Sequence, residues 1–215
     1  MVCDVSQRVA VFSVSALHGL PIILGLKCYE NRFRPSRRCL GLGGKRAIKE
    51  GTLMAMRIHT NKKQDRPDVK WIAKYEAQIR QHGHTSVADV AKRICNKDTL
   101  GRVIMLMEVD CVLQLDKDEA NNLPQHMINK LGMWNDERYV RYRADKWRDN
   151  SSSILSVIHF KWMKELVPGN RPLITNNSID GDLRMTPAWL TDDALNQLKK
   201  CQLVSNLGFE QVDYV

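Results

Sequence analysis

The sequence predicts a mainly α-helical protein with a small β-hairpin near the amino terminus and a helix-turn-helix-like centre. Three observations support this fold class. An apolar run at residues 9–26 is divided by glycine and proline. Apolar residues recur at helical spacing between residues 66 and 107. Thr191-Asp192-Asp193 has the composition of a helix amino terminus.

Composition places the chain among ordinary globular proteins. It has 215 residues, of which 43% are hydrophobic and 27% charged, which excludes wholly disordered, collagen-like and multi-span membrane classes. We predict three regions: residues 1–65 as a basic segment with the apolar hairpin, 66–149 as a helical DNA-binding region, and 150–215 as a helical carboxyl-terminal region.

Residues 9–26 predict the hairpin, with Val9–Val14 as one strand, His18–Pro21 as the turn and Ile22–Leu26 as the second strand. An organellar or secretory leader and a membrane anchor remain open as alternatives. We expect no stable membrane insertion, because His18, Gly19 and Pro21 interrupt a short apolar stretch.

Apolar spacing and capping residues predict the helices in order along the chain. They are Lys45–Met56, Asp65 to about His82, a short helix from Thr85, a helix from Thr99 that includes Leu100 to Met107, Ile154–Leu166, and Ala194–Leu203 after the cap at Thr191 to Asp193. Pro168-Gly169 predicts the end of the fifth of these segments.

The positive charge is unevenly distributed. The formal net charge is +9, and residues 1–75 contain 15 basic and 5 acidic side chains, whereas the remainder contains 18 and 19. Such a surplus indicates a polyanionic partner, either nucleic acid or an acidic membrane surface.

The six cysteines include no C-x-x-C pair, and the histidines have no zinc-finger spacing. The sequence therefore predicts no metal site and no cofactor. The low cysteine count favours reduced thiols and an intracellular location, in the cytoplasm or nucleus.

Residues 85–105, TSVADVAKRICNKDTLGRVIM, predict two short helices joined by a tight turn. The segment resembles the DNA-binding helices of the Lac repressor family. That resemblance implies that Thr99 and Arg102 face bases or phosphates, and that Lys92, Arg93 and Lys97 neutralise backbone charge. An ordinary helical hairpin is the alternative.

Residues 122–143 contain Leu131, Gly132 and Trp134, followed eight residues after the Trp by Tyr142. This pattern resembles the catalytic segment of tyrosine recombinases of the DIRS and crypton type. The resemblance implies that Tyr142 attacks a DNA phosphate and Trp134 hydrogen-bonds it. The other positions it implies are Arg46, Lys62 (or Lys63) and His84 as catalytic residues and Arg141 as a DNA contact. The alternative is an aromatic helix packed on the core.

These observations favour a nucleic-acid-binding protein, most consistent with DNA binding and with a divergent or degenerate recombinase. The alternative is a non-enzymatic RNA-binding structural or assembly protein of viral or organellar ribosomal type. Whether the chain is an enzyme, in that case a DNA strand transferase, and whether it forms a homo-oligomer are left open.

Overall fold

Seven β-strands form one mixed sheet in the part of the chain that the structure describes. The structure, a computed structural model, describes residues 8–14, 19, 22–23, 27–34, 48–58, 99–116, 118–119, 122–124, 126, 154–169, 171–180, 188–201 and 203. The prediction of a mainly α-helical protein is therefore wrong, because the described core is built from strands.

Among these residues, the elements with defined bounds are strands of different lengths, a 3₁₀ helix and an α-helix near the carboxyl terminus; residues 19, 22–23, 118–119 and 126 are also helical. In chain order, the elements are β1 (Val9–Val14), β2 (Tyr29–Arg34), β3 (Leu53–Ile58), β4 (Val103–Leu115), β5 (Ile154–Glu165), a short 3₁₀ helix (Asn176–Ser178), β6 (Ile179–Asp180), β7 (Ala188–Leu190) and α1 (Asp192–Lys199).

The order of strands across the sheet is β2-β5-β4-β3-β1-β7-β6. Strands β1 and β3 are parallel, whereas the other neighbouring pairs are antiparallel. Strand β1 thus lies between β3 and β7, the latter contributed by the carboxyl-terminal part of the chain. Because β1 and β3 run in the same direction, their carboxyl ends meet at one edge of the sheet.

Both faces of the central strands are buried. Ala10 and Phe12 of β1 belong to one apolar cluster together with Met54 and Met56 of β3. The residues that alternate with them, such as Val11, belong to a second cluster on the opposite face. A strand buried on both faces is apolar at every position, which explains the continuous apolar runs in the sequence.

Two amino-terminal predictions change with this topology. Val9–Val14 is a strand, as predicted, but it pairs with β3 and β7 rather than with the segment that follows it. Ile22 and Ile23 are helical, so the predicted hairpin is wrong. The predicted helix Lys45–Met56 is also wrong, because Leu53 begins strand β3.

The largest corrections concern two segments predicted as helices. The segment from Thr99 to Met107 enters β4 at Val103, and Ile154–Leu166 contains β5. Short apolar runs do not distinguish a buried helix from a buried strand by periodicity. The second half of the predicted helix-turn-helix is therefore strand at residues 103–105.

A helix begins where the last one was predicted, but it ends at Lys199 rather than at Leu203, which forms a β-bridge with Leu166. Helix α1 begins after Thr191, whose side chain accepts a hydrogen bond from the backbone N–H of Ala194, and Asp192 and Asp193 occupy its first turn. These carboxylates stabilise the positive end of the helix dipole. The segment predicted to end at Pro168-Gly169 does end before these residues, which form a turn in which Gly169 has a positive φ of 99°.

The helices predicted between residues 65 and 94 lie outside the described residues. The division of the chain into three regions stays a prediction. Within the described ranges, no helix is both long enough and apolar enough to span a membrane.

Candidate functional site

A buried arginine lies at the carboxyl ends of the parallel strands. Arg57 of β3 is 9% exposed and pairs in register with Ser13 of β1. Its Nη1 donates to Ser13 Oγ at 3.1 Å, and its Nε donates to the carbonyl oxygen of Gly101 at 3.1 Å. Arg57 and Ser13 therefore end the apolar stripe that Val11 and Ala55 form on the same face.

The electrostatics of Arg57 are unusual for a buried cation. Both of its hydrogen-bond acceptors are neutral, and no described carboxylate contacts its guanidinium. Burial alone lowers its pKa from the ordinary arginine value. A guanidinium has five N–H donors, of which these contacts use two. The remaining three donors have no acceptor among the described residues.

Arg171, which follows β5 in the chain, shows the opposite arrangement. Its Nη2 donates to Glu165 Oε1 at 2.6 Å, and both side chains are 3% exposed. Its Nε donates to the carbonyl oxygen of Leu166. The charge of Arg171 is thus paired with a carboxylate, whereas no described carboxylate contacts Arg57.

Arg102 lies beside Arg57 at the same end of the sheet. The backbone N–H of Ile58 donates to the carbonyl oxygen of Arg102, which places Arg102 next to the last residues of β3. The Arg102 side chain is partly buried, and its Nη1 donates to the carbonyl oxygen of Arg171 at 2.6 Å.

A second polar cluster joins strands β4 and β5 to the residue that precedes β2. His159 of β5 contacts Asp110 through Nδ1, at 3.0 Å from Oδ2, and contacts Cys28 through Nε2, at 3.5 Å from Sγ. Because the carboxylate of Asp110 only accepts, the neutral imidazole bears its proton on Nδ1. Nε2 is then free of a proton and accepts from the thiol of Cys28.

An irregularity of the sheet positions this cluster. Val109 pairs with Phe160 and Cys111 pairs with His159, so that Asp110 is the extra residue of a bulge in β4. A bulge redirects a side chain that regular alternation would place on the other face. On the other side of β5, the backbone N–H of Phe160 donates to the carbonyl oxygen of Cys28 at 2.8 Å.

Burial dominates the acidity of Cys28. It raises the pKa of the thiol to about 11, and the negative charge of Asp110 adds to the increase, whereas the positive charge of Lys27 opposes it. Cys28 is therefore a neutral thiol at physiological pH. Asp110, Cys111 and His159 also offer three ligand atoms within 4.8 Å of one another, a donor set that suits zinc.

Most residues predicted from the two family resemblances lie outside the described residues. Their roles stay predictions. This applies to the catalytic residues Arg46, Lys62, His84, Trp134 and Tyr142 and to the DNA contacts Lys92, Arg93, Lys97 and Arg141. Of the DNA contacts, only Thr99 and Arg102 are described; Thr99 is buried in a turn.

Sequence reasoning missed both clusters. Arg57 interrupts the apolar strand sequence LMAMRI, and this interruption is the one local signal for a buried cation. Cys28 and His159 are 131 residues apart in the chain, so no spacing pattern could have connected them.

The fold and these sites define a mixed-sheet protein with a buried cationic site and a thiol–imidazole–carboxylate cluster. No protein-family model matches the sequence, and no curated protein matches it. Among solved structures, the chain is similar to the ASCH protein from Zymomonas mobilis, at 12% identity and a TM-score of 0.46, over 88% of this chain and 92% of that one.

Two single-substitution variants of the Zymomonas protein give 11% identity and the same TM-score, over 89% of this chain and 96% and 94% of theirs. At this level of similarity, the comparison assigns neither a function nor a site to this chain.

Proposed function

We propose that this protein binds nucleic acid through its phosphates, and that RNA is preferred to duplex DNA. The proposal rests on the buried guanidinium of Arg57, which contacts two neutral acceptors and no described carboxylate. An unpaired buried charge costs several kcal/mol, roughly, in desolvation. A bound anion would offset that cost.

Phosphate is the anion that best suits both the site and the whole chain. Guanidinium groups donate paired hydrogen bonds to phosphate oxygens. Ligands of open α/β sheets commonly bind beyond the carboxyl ends of parallel strands, and Arg57 lies at such an end. The net charge of +9 supplies a long-range attraction for a polyphosphate chain.

The preference for RNA follows from the correction at β4. An α-helix or a two-stranded ribbon must enter the major groove to identify duplex DNA by sequence. The segment predicted to do so is strand, with Val103 and Ile104 fully buried in the sheet. Single-stranded RNA presents unstacked bases and requires no element that enters a groove. The support for a sequence-specific DNA protein is therefore weaker than the support for the RNA alternative.

The experiment is a filter-binding titration of single-stranded RNA across a range of salt concentrations. We expect the wild-type protein to bind RNA more tightly than duplex DNA of the same length. We expect log affinity to fall with log salt by about 0.7 per neutralised single-strand phosphate. Arg57→Met should weaken RNA binding and make the slope of log affinity against log salt shallower by about 0.7, the contribution of one phosphate.

A matched control is Arg8→Met. Arg8 is exposed and precedes the first residue of β1, so it lies at the opposite end of that strand from Arg57. The Arg8→Met substitution removes the same charge without contacting Arg57. It should therefore reduce the affinity for RNA less than Arg57→Met does. Equal affinity and slope in wild-type and Arg57→Met protein would contradict the proposal.

A further inference from the structure

Cys28, His159 and Asp110 form a chain of contacts that the proposed nucleic-acid binding does not use. The thiol contacts the imidazole at Nε2, and the carboxylate contacts the opposite ring nitrogen. This is the connectivity of a nucleophile, a general base and a group that orients the base. We propose that Cys28 is a nucleophile that accepts acyl groups from activated esters or thioesters, with His159 as its general base.

The geometry defines the role of each group. Asp110 accepts from Nδ1 and is a positioning residue, since it fixes the imidazole tautomer with its lone pair at Nε2. Nε2 lies 3.5 Å from Cys28 Sγ, so the thiol proton has an acceptor within reach. The thiol proton can therefore move to Nε2 as the sulfur attacks, which is the role of a general base.

Access to the cluster is consistent with a reacting site. Cys28 is partly exposed, and the side chain of Asp110 is 33% exposed whereas that of His159 is 12% exposed. Cys28 directly precedes β2, which is the edge strand of the described sheet. The sulfur is thus partly exposed beside an edge strand of the described sheet.

The reaction balances without an oxidant, reductant or metal. A carbon–sulfur bond forms between Sγ and the acyl carbon while the bond from that carbon to the leaving oxygen of an ester, or to the leaving sulfur of a thioester, breaks. The thiol proton moves to His159 Nε2 and then to the departing alkoxide or thiolate. In the second step water attacks the thioester, which releases a carboxylic acid and restores the protonated thiol.

The test uses p-nitrophenyl acetate as the acyl donor, with release of p-nitrophenol and intact-mass spectrometry as readouts. We expect one acetyl group per chain, located on Cys28 by peptide mapping. Cys28→Ala should abolish that adduct. His159→Gln should slow acetylation by about 100-fold or more. Asp110→Asn should also slow acetylation, and the circular dichroism spectra of both variants should match that of the wild-type protein.

Cys201→Ser is the matched control, because Cys201 is a buried thiol that donates to the carbonyl oxygen of Gln197 in α1. It should acetylate at the wild-type rate. Acetylation of Cys111 or Cys201 in place of Cys28, or a wild-type rate in His159→Gln, would overturn the proposal.

Two measurements on the wild-type protein keep the proposal testable even if a variant fails to fold. Assistance by His159 predicts that acetylation is slower in deuterium oxide than in water, because the thiol proton moves to the imidazole as the carbon–sulfur bond forms. A chelator should leave the rate unchanged. Equal rates in the two solvents, or complete loss of acetylation with the chelator, would refute the mechanism in favour of a simple thiolate or a metal site at Asp110, Cys111 and His159.

Discussion

Arg57 and Arg171 are both buried, but of the two only Arg171 contacts a described carboxylate. Arg171 is held by Glu165 at 2.6 Å, so its charge is compensated within the fold. Arg57 has only the neutral acceptors Ser13 and Gly101 among the described residues. The Gly101 carbonyl also accepts from the backbone N–H of Ile174 at 2.9 Å, so it would keep a partner if Arg57 were removed.

This contrast predicts opposite effects on stability for the same substitution. Arg57→Met should leave the free energy of unfolding unchanged or raise it by about 1–4 kcal/mol, because it removes a buried charge that no described carboxylate compensates. Arg171→Met should lower it by about 3–5 kcal/mol, because the buried carboxylate of Glu165 would lose its ion pair with Arg171. Urea denaturation of the two variants and wild type measures both values.

A marked loss of stability in Arg57→Met would mean that the guanidinium serves the fold. The interpretation of Arg57 as a ligand-binding residue would then lose its basis. Lys161→Ala provides a surface reference, since Lys161 is 62% exposed and lies 3.8 Å from Glu108. That pair should contribute less than about 1 kcal/mol.

At the scale of elements, the conformation of β4 depends on neighbouring strands, whereas the start of α1 depends on the local sequence. Strand β4 is 13 residues long and pairs with β3 at one side and β5 at the other. Its strand conformation depends on these neighbours, which no local pattern specifies. Helix α1, by contrast, begins where local chemistry predicts it, at Thr191 followed by two carboxylates.

The cap of α1 can be tested directly. Thr191→Ala should lower the free energy of unfolding by about 0.5–1 kcal/mol, because the N–H of Ala194 loses its side-chain acceptor. Thr191→Ser retains a hydroxyl and should stay close to wild type. Thermal or urea unfolding measures both, and equal losses in the two variants would show that the hydroxyl does not stabilise the helix.

At the scale of the whole molecule, the sheet joins distant parts of the chain. Strand β1 pairs with β7, and β5 pairs with both β2 and β4. Buried residues of α1, such as Leu195 and Leu198, pack in the same cluster as Val9 and Val11 of β1. Apolar residues in the last third of the chain are therefore covered by residues in its first third.

This arrangement predicts that residues 150–215 do not fold alone. Expressed as a fragment, that region would lack β1, β2 and β4 and would expose the faces that they cover. We expect no cooperative urea transition for the fragment, whereas the full chain should give one. A cooperative transition in the fragment would show that this region is an independent domain.

Local chemistry makes some features predictable from the sequence. The stop at Pro168-Gly169 and the cap of α1 depend on side chains within a few residues of one another, and the sequence predicts both. It also predicts strand at Val9–Val14, although the partners of that strand, β3 and β7, come from distant parts of the chain. For apolar runs such as Val103–Met107 the prediction is wrong, because a strand buried on both faces and a buried helix can have the same composition.

The sequence alone determined the globular class, the net charge of +9 and the amino end of the last helix, because these follow from composition and nearest neighbours. Only the tertiary structure decided that Arg57 is buried without a described carboxylate beside it, and that Cys28, Asp110 and His159 meet. Those properties depend on strand order and on a bulge in β4. Contact between Cys28 and His159, which are 131 positions apart, is set by the packing of the whole sheet, not by any local pattern.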